Sequence, residues 1–124
     1  MDQGALVKAG QLLLSKLDAT GSPPRVALWV HDSDPDRWSL WVVPKSPAPG
    51  PTDFYKQVLQ IIDKDRSAFE GLDASDVKVV SESNPTVRAL GTFMHVPGTG
   101  DIRLHNVRMS DVFLPDGIVL RSAL

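Results

Sequence analysis

The sequence predicts a single α+β domain over residues 1–124, with a mainly antiparallel or mixed sheet packed against two longer helices and one short helix. The chain has 124 residues, which is enough to bury one hydrophobic core. Strand signals occur in pairs near both ends of the chain, as expected for hairpins. Segments with helical periodicity precede and separate these strands, which favours an α+β arrangement.

The first helix and the hairpin that follows it have the clearest local signals. Leucine and valine recur at helical spacing over residues 5–18, and Pro23-Pro24 prevent the helix from continuing. Residues 25–31 and 38–43 are rich in β-branched and aromatic side chains, which predicts two strands. Residues 32–37 between them are turn formers and predict the connecting loop.

The two faces of this hairpin are both apolar. We assume a register in which Trp29 pairs with Leu40, which fixes the face on which each side chain lies. One face then carries Val26, Leu28, Val30, Trp41 and Val43, and the other carries Ala27, Trp29, Trp38, Leu40 and Val42. A hairpin with one face in water should alternate with polar residues. The pattern therefore predicts either helices on both faces or one face kept for a partner or ligand.

The middle of the chain predicts one longer helix, a short strand and a short helix. Residues 44–51 are rich in proline and predict a surface loop, after which Thr52 is the expected N-cap of a helix over residues 53–65. Residues 77–80 predict a third strand. Asn84-Pro85 predicts the start of a short helix, with asparagine as N-cap and proline at the first helical position.

The C-terminal part, from residue 102 to residue 124, predicts short strands. Asp116-Gly117 is a strong turn signal between the apolar segments 112–114 and 118–120. Ser110-Asp111 is a weaker candidate turn. The predicted order of elements is therefore α-β-β-α-β-α followed by two or three strands.

Composition excludes several functional classes. The chain contains no cysteine, which excludes disulfides, cysteine-ligated zinc and a cysteine nucleophile. The formal net charge is −2, whereas nucleic-acid binding favours a basic surplus, so we expect no nucleic-acid partner. The N-terminus has no signal-peptide pattern and no apolar run is long enough for a membrane span. We therefore expect a cytoplasmic protein without a membrane partner.

An acidic segment next to His31 is the candidate metal site. Asp32, Asp34 and Asp36 alternate in the predicted hairpin loop, and hard cations prefer carboxylate oxygens. The remaining positions of a calcium-binding loop are absent, since Arg37 stands where a glycine is needed. Acidic turn formers usually bond their own backbone, so the pattern favours a solvated loop. His31, His95 and His105 share no metal-ligand spacing and are expected to act independently.

The tryptophans are the candidate interaction surface. Trp29 and Trp38 share one predicted face, and tryptophan is frequent at interface hot spots as well as in cores. Trp41 lies on the opposite face, where a core position is expected. No serine lies in a nucleophile motif. The sequence predicts no catalytic residue and no cofactor.

Two blocks of the chain resemble a family of small uncharacterised bacterial proteins of unknown function. The first block comprises Ala27, Leu28, Trp29, Asp32, Asp34, Asp36, Trp38, Leu40 and Pro44. The second comprises Asn84, Pro85, Val87, Arg88, Ala89 and Leu90, with the turn Pro97-Gly98-Thr99-Gly100 after it. The resemblance covers most of the chain and implies a bacterial source, but its motifs are specific to no chemistry.

Three functional hypotheses follow from the sequence. The first is a non-catalytic protein–protein interaction or structural module, which includes the case of a homodimer formed through the sheet. The second is a small metal-dependent hydrolase or phosphate-handling enzyme that uses Asp32, Asp34 and Asp36 with His31. The third is a small-ligand-binding protein with a pocket between the tryptophan hairpin and the second helix.

Overall fold

A computed structural model describes residues 3–33, 36–45, 50–69, 71–109 and 112–124 of the chain. The helices are α1 (Gln3–Ala19), α2 (Pro51–Lys64) and α3 (Pro85–Phe93), with a 3₁₀ turn at Ala74–Asp76. The strands are β1 (Val26–Ser33), β2 (Asp36–Val43), β3 (Val77–Val79), β4 (Ile102–Leu104), β5 (Arg108–Met109), β6 (Val112–Phe113) and β7 (Gly117–Ser122). The α+β class predicted from the sequence is confirmed.

The main sheet has five strands in the order β3-β2-β1-β7-β4. Among the described strands of this sheet, the β2–β3 pair is parallel and the other neighbours run antiparallel. The sheet is therefore mixed, as expected. A separate two-stranded sheet pairs β5 with β6.

The hairpin has the register that was assumed, since Trp29 pairs with Leu40. The strands are longer than expected, since Asp32 pairs with Arg37 and Ser33 pairs with Asp36. The prediction of a six-residue loop over residues 32–37 was wrong for these four positions. Backbone pairing extended into a polar segment because β-pairing does not require apolar side chains at the tip of a hairpin.

Helices cover both faces of the hairpin. On one face, Trp29 and Leu40 belong to a buried cluster with α1 and α2 residues such as Leu13 and Phe54. On the other face, Leu28 and its neighbours pack with α3 residues, including Val87 and Leu90. Of the two explanations for the apolar faces, the structure shows helices of the same chain on both.

Two glycines permit close approach of backbone segments. A Cβ atom at Gly10 would lie 2.4 Å from Leu120 Cδ1 and 2.9 Å from Trp29 Nε1, so glycine allows α1 to pack tightly on the sheet. A Cβ atom at Gly117 would lie 2.0 Å from the backbone oxygen of Trp29. Gly117 is therefore needed at the start of β7, which pairs with β1 and β4.

The predicted hairpin around Asp116-Gly117 was wrong. Strand β6 pairs with β5, whereas β7 lies in the main sheet next to β1. The sequence signal was a glycine between two apolar segments, and that glycine is required for packing against Trp29. Ser110 and Asp111, the weaker candidate turn, lie outside the described residues.

The helix starts were predicted with different success. Asn84 is the N-cap of α3, and its side-chain oxygen accepts hydrogen bonds from the N–H groups of Thr86 (2.9 Å) and Val87 (3.3 Å), as predicted. Helix α2 begins earlier than expected, with Gly50 as N-cap and Pro51 at the first helical position. Thr52 is therefore inside the helix, and proline with its preset φ decides the start.

Candidate functional site

A cleft of about 650 Å³ opens at one end of the main sheet. We call it the polar cleft, and the residues that define it are His31, Asp36, Trp38, Arg103, His105 and Asp116. The strand order explains why they meet. The end of β1, the start of β2, the start of β7 and the end of β4 lie at the same end of an antiparallel arrangement. The first turn of α1 completes the wall, with Gln3 and Leu6.

His31 is held at the centre of the polar cleft by contacts on three sides. Its Nε2 atom pairs with Oδ1 of Asp36. Its ring lies against the Trp38 ring, with 4.7 Å between centroids and 36° between planes. Its backbone N–H donates to the carbonyl of Asp116 at 2.8 Å. These contacts fix the orientation of both rings, and the His31 side chain remains 28% exposed.

Asp116 faces the cleft from the start of β7. Its Oδ1 atom accepts a hydrogen bond from the backbone N–H of Asn106 at 3.0 Å, and Oδ2 lies 3.1 Å from Nδ1 of His105. The bond from Asn106 is the main reason that the pKa of Asp116 lies below its ordinary value. Desolvation opposes this shift, while His105 and then His31 add to it. Asp116 is therefore an ionised hydrogen-bond acceptor at neutral pH.

Two arginines flank the pairs of histidine and aspartate. Arg103 donates from Nη1 to Oε1 of Gln3 at 2.5 Å and from Nε to Oδ1 of Asp101 at 3.1 Å. Arg37 donates from Nη2 to the backbone oxygen of Ser75 at 3.2 Å. The same atom lies 3.6 Å from a carboxylate oxygen of Asp76, which also lines the cleft.

The cleft is rich in charged groups but has no surplus of positive charge. Three carboxylates that line the cleft (Asp36, Asp76 and Asp116) and one outside it that pairs with Arg103 (Asp101) each lie beside an arginine or a histidine. The charge of these eight groups balances when both histidines are protonated. It amounts to two negative charges when both histidines are neutral. An ionised ligand of either sign would thus have to compete with ion pairs that already exist.

The candidate metal site receives little support from the described residues. Asp36 bonds His31, whereas Asp32 pairs with Arg37, and strand alternation directs Asp32 to the opposite face from Asp36. Asp34 lies outside the described residues. Within the described ranges, no group of three or more histidine and acidic side chains could hold a metal ion.

The two tryptophans of the predicted interaction surface have different environments. Trp29 is fully buried and donates from Nε1 to the backbone oxygen of Leu6 at 2.8 Å. Its side chain therefore presents no surface to a partner, which corrects the expectation for this residue. Trp38 is half-buried and lines the polar cleft. Trp41, expected in the core, is half-buried on the opposite face and packs against the cluster beneath α3.

Sequence reasoning missed most of the polar cleft. His31 and His105 were expected to be independent, yet they line the same cleft, while His95 is exposed and does not line it. Arg103 and Asp116 were not singled out as site residues. No sequence signal joins these groups, because they meet only when β4 and β1 both pair with β7.

The chemistry available in the polar cleft is hydrogen bonding, aromatic contact and proton transfer. Among the described residues that line it, none carries a hydroxyl, thiol or amine side chain that could act as a nucleophile. Carboxylates accept hydrogen bonds and guanidinium groups donate them, so the lining can satisfy both kinds of polar group on a ligand.

Comparisons of the chain with protein-family models, with curated proteins and with solved structures found no match. Within the described residues, no helix combines the length and the apolar character needed to cross a membrane.

Proposed function

We propose that this protein binds a small, uncharged, polar molecule in the polar cleft. The observation that carries the proposal is the position of the half-buried Trp38 ring beside charged groups that are already paired. Small-ligand sites combine an apolar or aromatic surface with a few convergent polar groups, in volumes of roughly 300–1,000 Å³. The cleft of about 650 Å³ falls within that range.

The balance of charge favours an uncharged ligand. Asp36 and Asp116 expose 82% and 44% of their side chains, and both would repel an anion that entered the cleft. A cation would have to compete with Arg37 and Arg103 for the carboxylates that these arginines already pair with. A neutral ligand with donors and acceptors meets neither barrier.

The polar cleft lies in a different place from the pocket expected from the sequence. The third hypothesis placed a pocket between the tryptophan hairpin and the second helix. The polar cleft instead borders the first turn of α1 and the end of β4. The tryptophan hairpin borders the pocket in both descriptions, whereas the opposite wall is different.

The experiment is a melting-temperature screen with D-glucose, myo-inositol, adenosine and inorganic phosphate at about 10 mM each, since a ligand that binds only the native state raises the melting temperature. We expect a rise with at least one uncharged probe and none with phosphate. The rise should vanish in Trp38→Leu. It should persist in Trp41→Leu, a matched variant on the same strand but the opposite face. A rise with phosphate alone, or with no probe, would overturn the proposal.

A protein–protein interaction module remains a second proposal, on a different surface from the one first expected. The hairpin faces are covered by the chain's own helices, but Phe93 and Phe113 are 54% and 63% exposed. Large exposed aromatic side chains are frequent in interfaces. Sedimentation velocity over a range of concentrations tests self-association. We expect a dimer that Phe113→Ser weakens, and a monomer at all concentrations would contradict the homodimer.

We also propose, from the sequence alone, that the protein acts in the cytoplasm. The position of Asp32 and Asp36 on opposite faces of the hairpin argues against a metal-dependent hydrolase that would use both carboxylates.

A further inference from the structure

We propose that the ligand of the polar cleft is a nucleoside, with its base against the Trp38 ring and no phosphate attached. This inference rests on the proposed binding of an uncharged molecule and names its chemical class. Three features of the cleft carry it: a fixed aromatic surface, planar hydrogen-bonding groups of both kinds, and carboxylates that disfavour a phosphate.

The aromatic surface is provided by Trp38. Its ring is held by His31, whose centroid lies 4.7 Å away, and by partial packing against the core cluster below α1. Part of the indole still faces the cleft. Every nucleobase has a π face, and stacking on a held aromatic side chain stabilises binding without an ordering cost for that side chain.

The hydrogen-bonding groups suit a base better than a sugar alone. The Nη2 atom of Arg103 has no protein partner among the described residues, so its N–H groups can reach a ring nitrogen or carbonyl. The two oxygens of Asp116 each have one partner, and a carboxylate has about four acceptor positions, so amino or imino N–H groups can bond there. Guanidinium and carboxylate groups are planar, and nucleobases present donors and acceptors in one plane.

The carboxylates of the cleft favour binding of a nucleoside over binding of a nucleotide. A 5′-phosphate would bring about two negative charges to a cleft that already contains Asp36, Asp76 and Asp116. Arg37 and Arg103 lie beside Asp76 and Asp101, so their positive charges are already partly compensated, although Nη2 of Arg103 can still donate a hydrogen bond. We therefore expect the nucleoside to bind more tightly than its monophosphate.

The test is calorimetric titration of the full chain with adenosine, guanosine, cytidine and uridine, with their 5′-monophosphates, and with D-glucose. We expect at least one nucleoside to bind about tenfold more tightly than its monophosphate. Trp38→Leu should weaken the affinity for that nucleoside roughly 5- to 150-fold, which is the range expected when the stacking of one base is lost. Trp38→Tyr keeps a ring and should retain most of the affinity, and Trp41→Leu should leave it unchanged.

The alternative outcomes separate this inference from the proposed function. If glucose binds and no nucleoside does, the nucleoside inference is wrong, whereas the proposed binding of an uncharged molecule still holds. A monophosphate that binds more tightly than its nucleoside would overturn both, because it requires a positive site. Nucleoside binding that survives unchanged in a folded Trp38→Leu variant would refute the placement of the base. Absence of binding by every ligand, with wild-type protein that is folded, would overturn the nucleoside inference and agree with failure of the melting screen.

Discussion

The ion pair between Asp18 and Arg121 offers the sharpest test of how this fold is held together. Arg121 lies in β7 and its side chain is only 7% exposed, whereas Asp18 in the last turn of α1 is 40% exposed. Both guanidinium Nη atoms donate to the two oxygens of Asp18, at 2.8 and 2.7 Å. Arg121 also donates to the backbone oxygens of Gly98 (2.5 Å) and Pro24 (3.2 Å). One side chain thus joins a helix end, two loops and the sheet.

The change Asp18→Ala removes the counter-charge and leaves the guanidinium buried. Leaving one partner of a buried pair uncompensated lowers the free energy of unfolding by about 3–5 kcal/mol. Two effects reduce that loss here, since Asp18 is partly hydrated already and a negative charge at a helix C-terminus is unfavourable by about 0.3–1 kcal/mol. The two backbone oxygens still bind Arg121. We therefore expect a loss of about 2–3 kcal/mol.

Replacing Arg121 as well as Asp18 should restore part of the free energy of unfolding that Asp18→Ala loses. In Asp18→Ala with Arg121→Met, no buried charge remains, so the double variant should recover about 1 kcal/mol over Asp18→Ala alone. The matched control is Asp63→Ala, which breaks an exposed pair between the last turn of α2 and Arg66 just beyond it. Exposed pairs of this kind contribute less than about 0.5 kcal/mol.

Urea denaturation followed by circular dichroism measures these differences, provided the slope m stays constant between variants. A loss below about 1 kcal/mol for Asp18→Ala would refute the reasoning, since a buried uncompensated guanidinium should be worth more than that. A double variant less stable than Asp18→Ala would show that the hydrogen bonds to the loops, rather than the charge, dominate.

Three further predictions follow from individual contacts. Asn84→Ala should lower the free energy of unfolding by about 1 kcal/mol because the α3 cap is lost, while Thr52→Ala should have less effect because Thr52 caps nothing; urea titration of both variants checks this. Gly117→Ala should lower the free energy of unfolding by about 3 kcal/mol or more, because the added Cβ would lie 2.0 Å from the backbone oxygen of Trp29. A urea midpoint equal to that of the wild type would contradict the β1–β7 geometry. Because the pKa of Asp116 is lowered in the folded state, its contribution to stability is present above its unfolded pKa and is lost as the pH falls through the folded value. Carboxyl carbon NMR should show that this group titrates at a lower pH than in a short peptide, and an ordinary midpoint would rule out the backbone hydrogen bond from Asn106.

Local signals account for the parts of the fold that were predicted well. Asn84 followed by Pro85 specifies a helix start through one side-chain acceptor and one fixed φ, so no distant contact is needed. The two strands of the central hairpin follow from their β-branched and aromatic residues. The register that pairs Trp29 with Leu40 was an assumption, because both faces of the hairpin are apolar and a shift of one residue would leave them so. Helix α1 likewise follows from the spacing of its leucines.

The errors arose where a distant segment decided the outcome. Gly117 resembles a turn glycine in sequence, but the Trp29 backbone that approaches it comes from a strand 88 positions earlier. Trp29 and Trp38 share a face by alternation, yet α1 covers the first and leaves the second at the cleft. Alternation gives the face of a side chain and contains no information about which helix lies over it.

The sequence by itself therefore determined the fold class, the approximate positions of the helices and the presence of the central hairpin, since these depend on periodicity and on residues within one turn or one strand pair. Only the tertiary structure decided the candidate site. His31, Arg103 and Asp116 meet because β7 lies between β1 and β4, an order set by long-range packing of the whole core. Side chains that are far apart in sequence acquire a common chemistry only when such strand order brings them to the same end of a sheet.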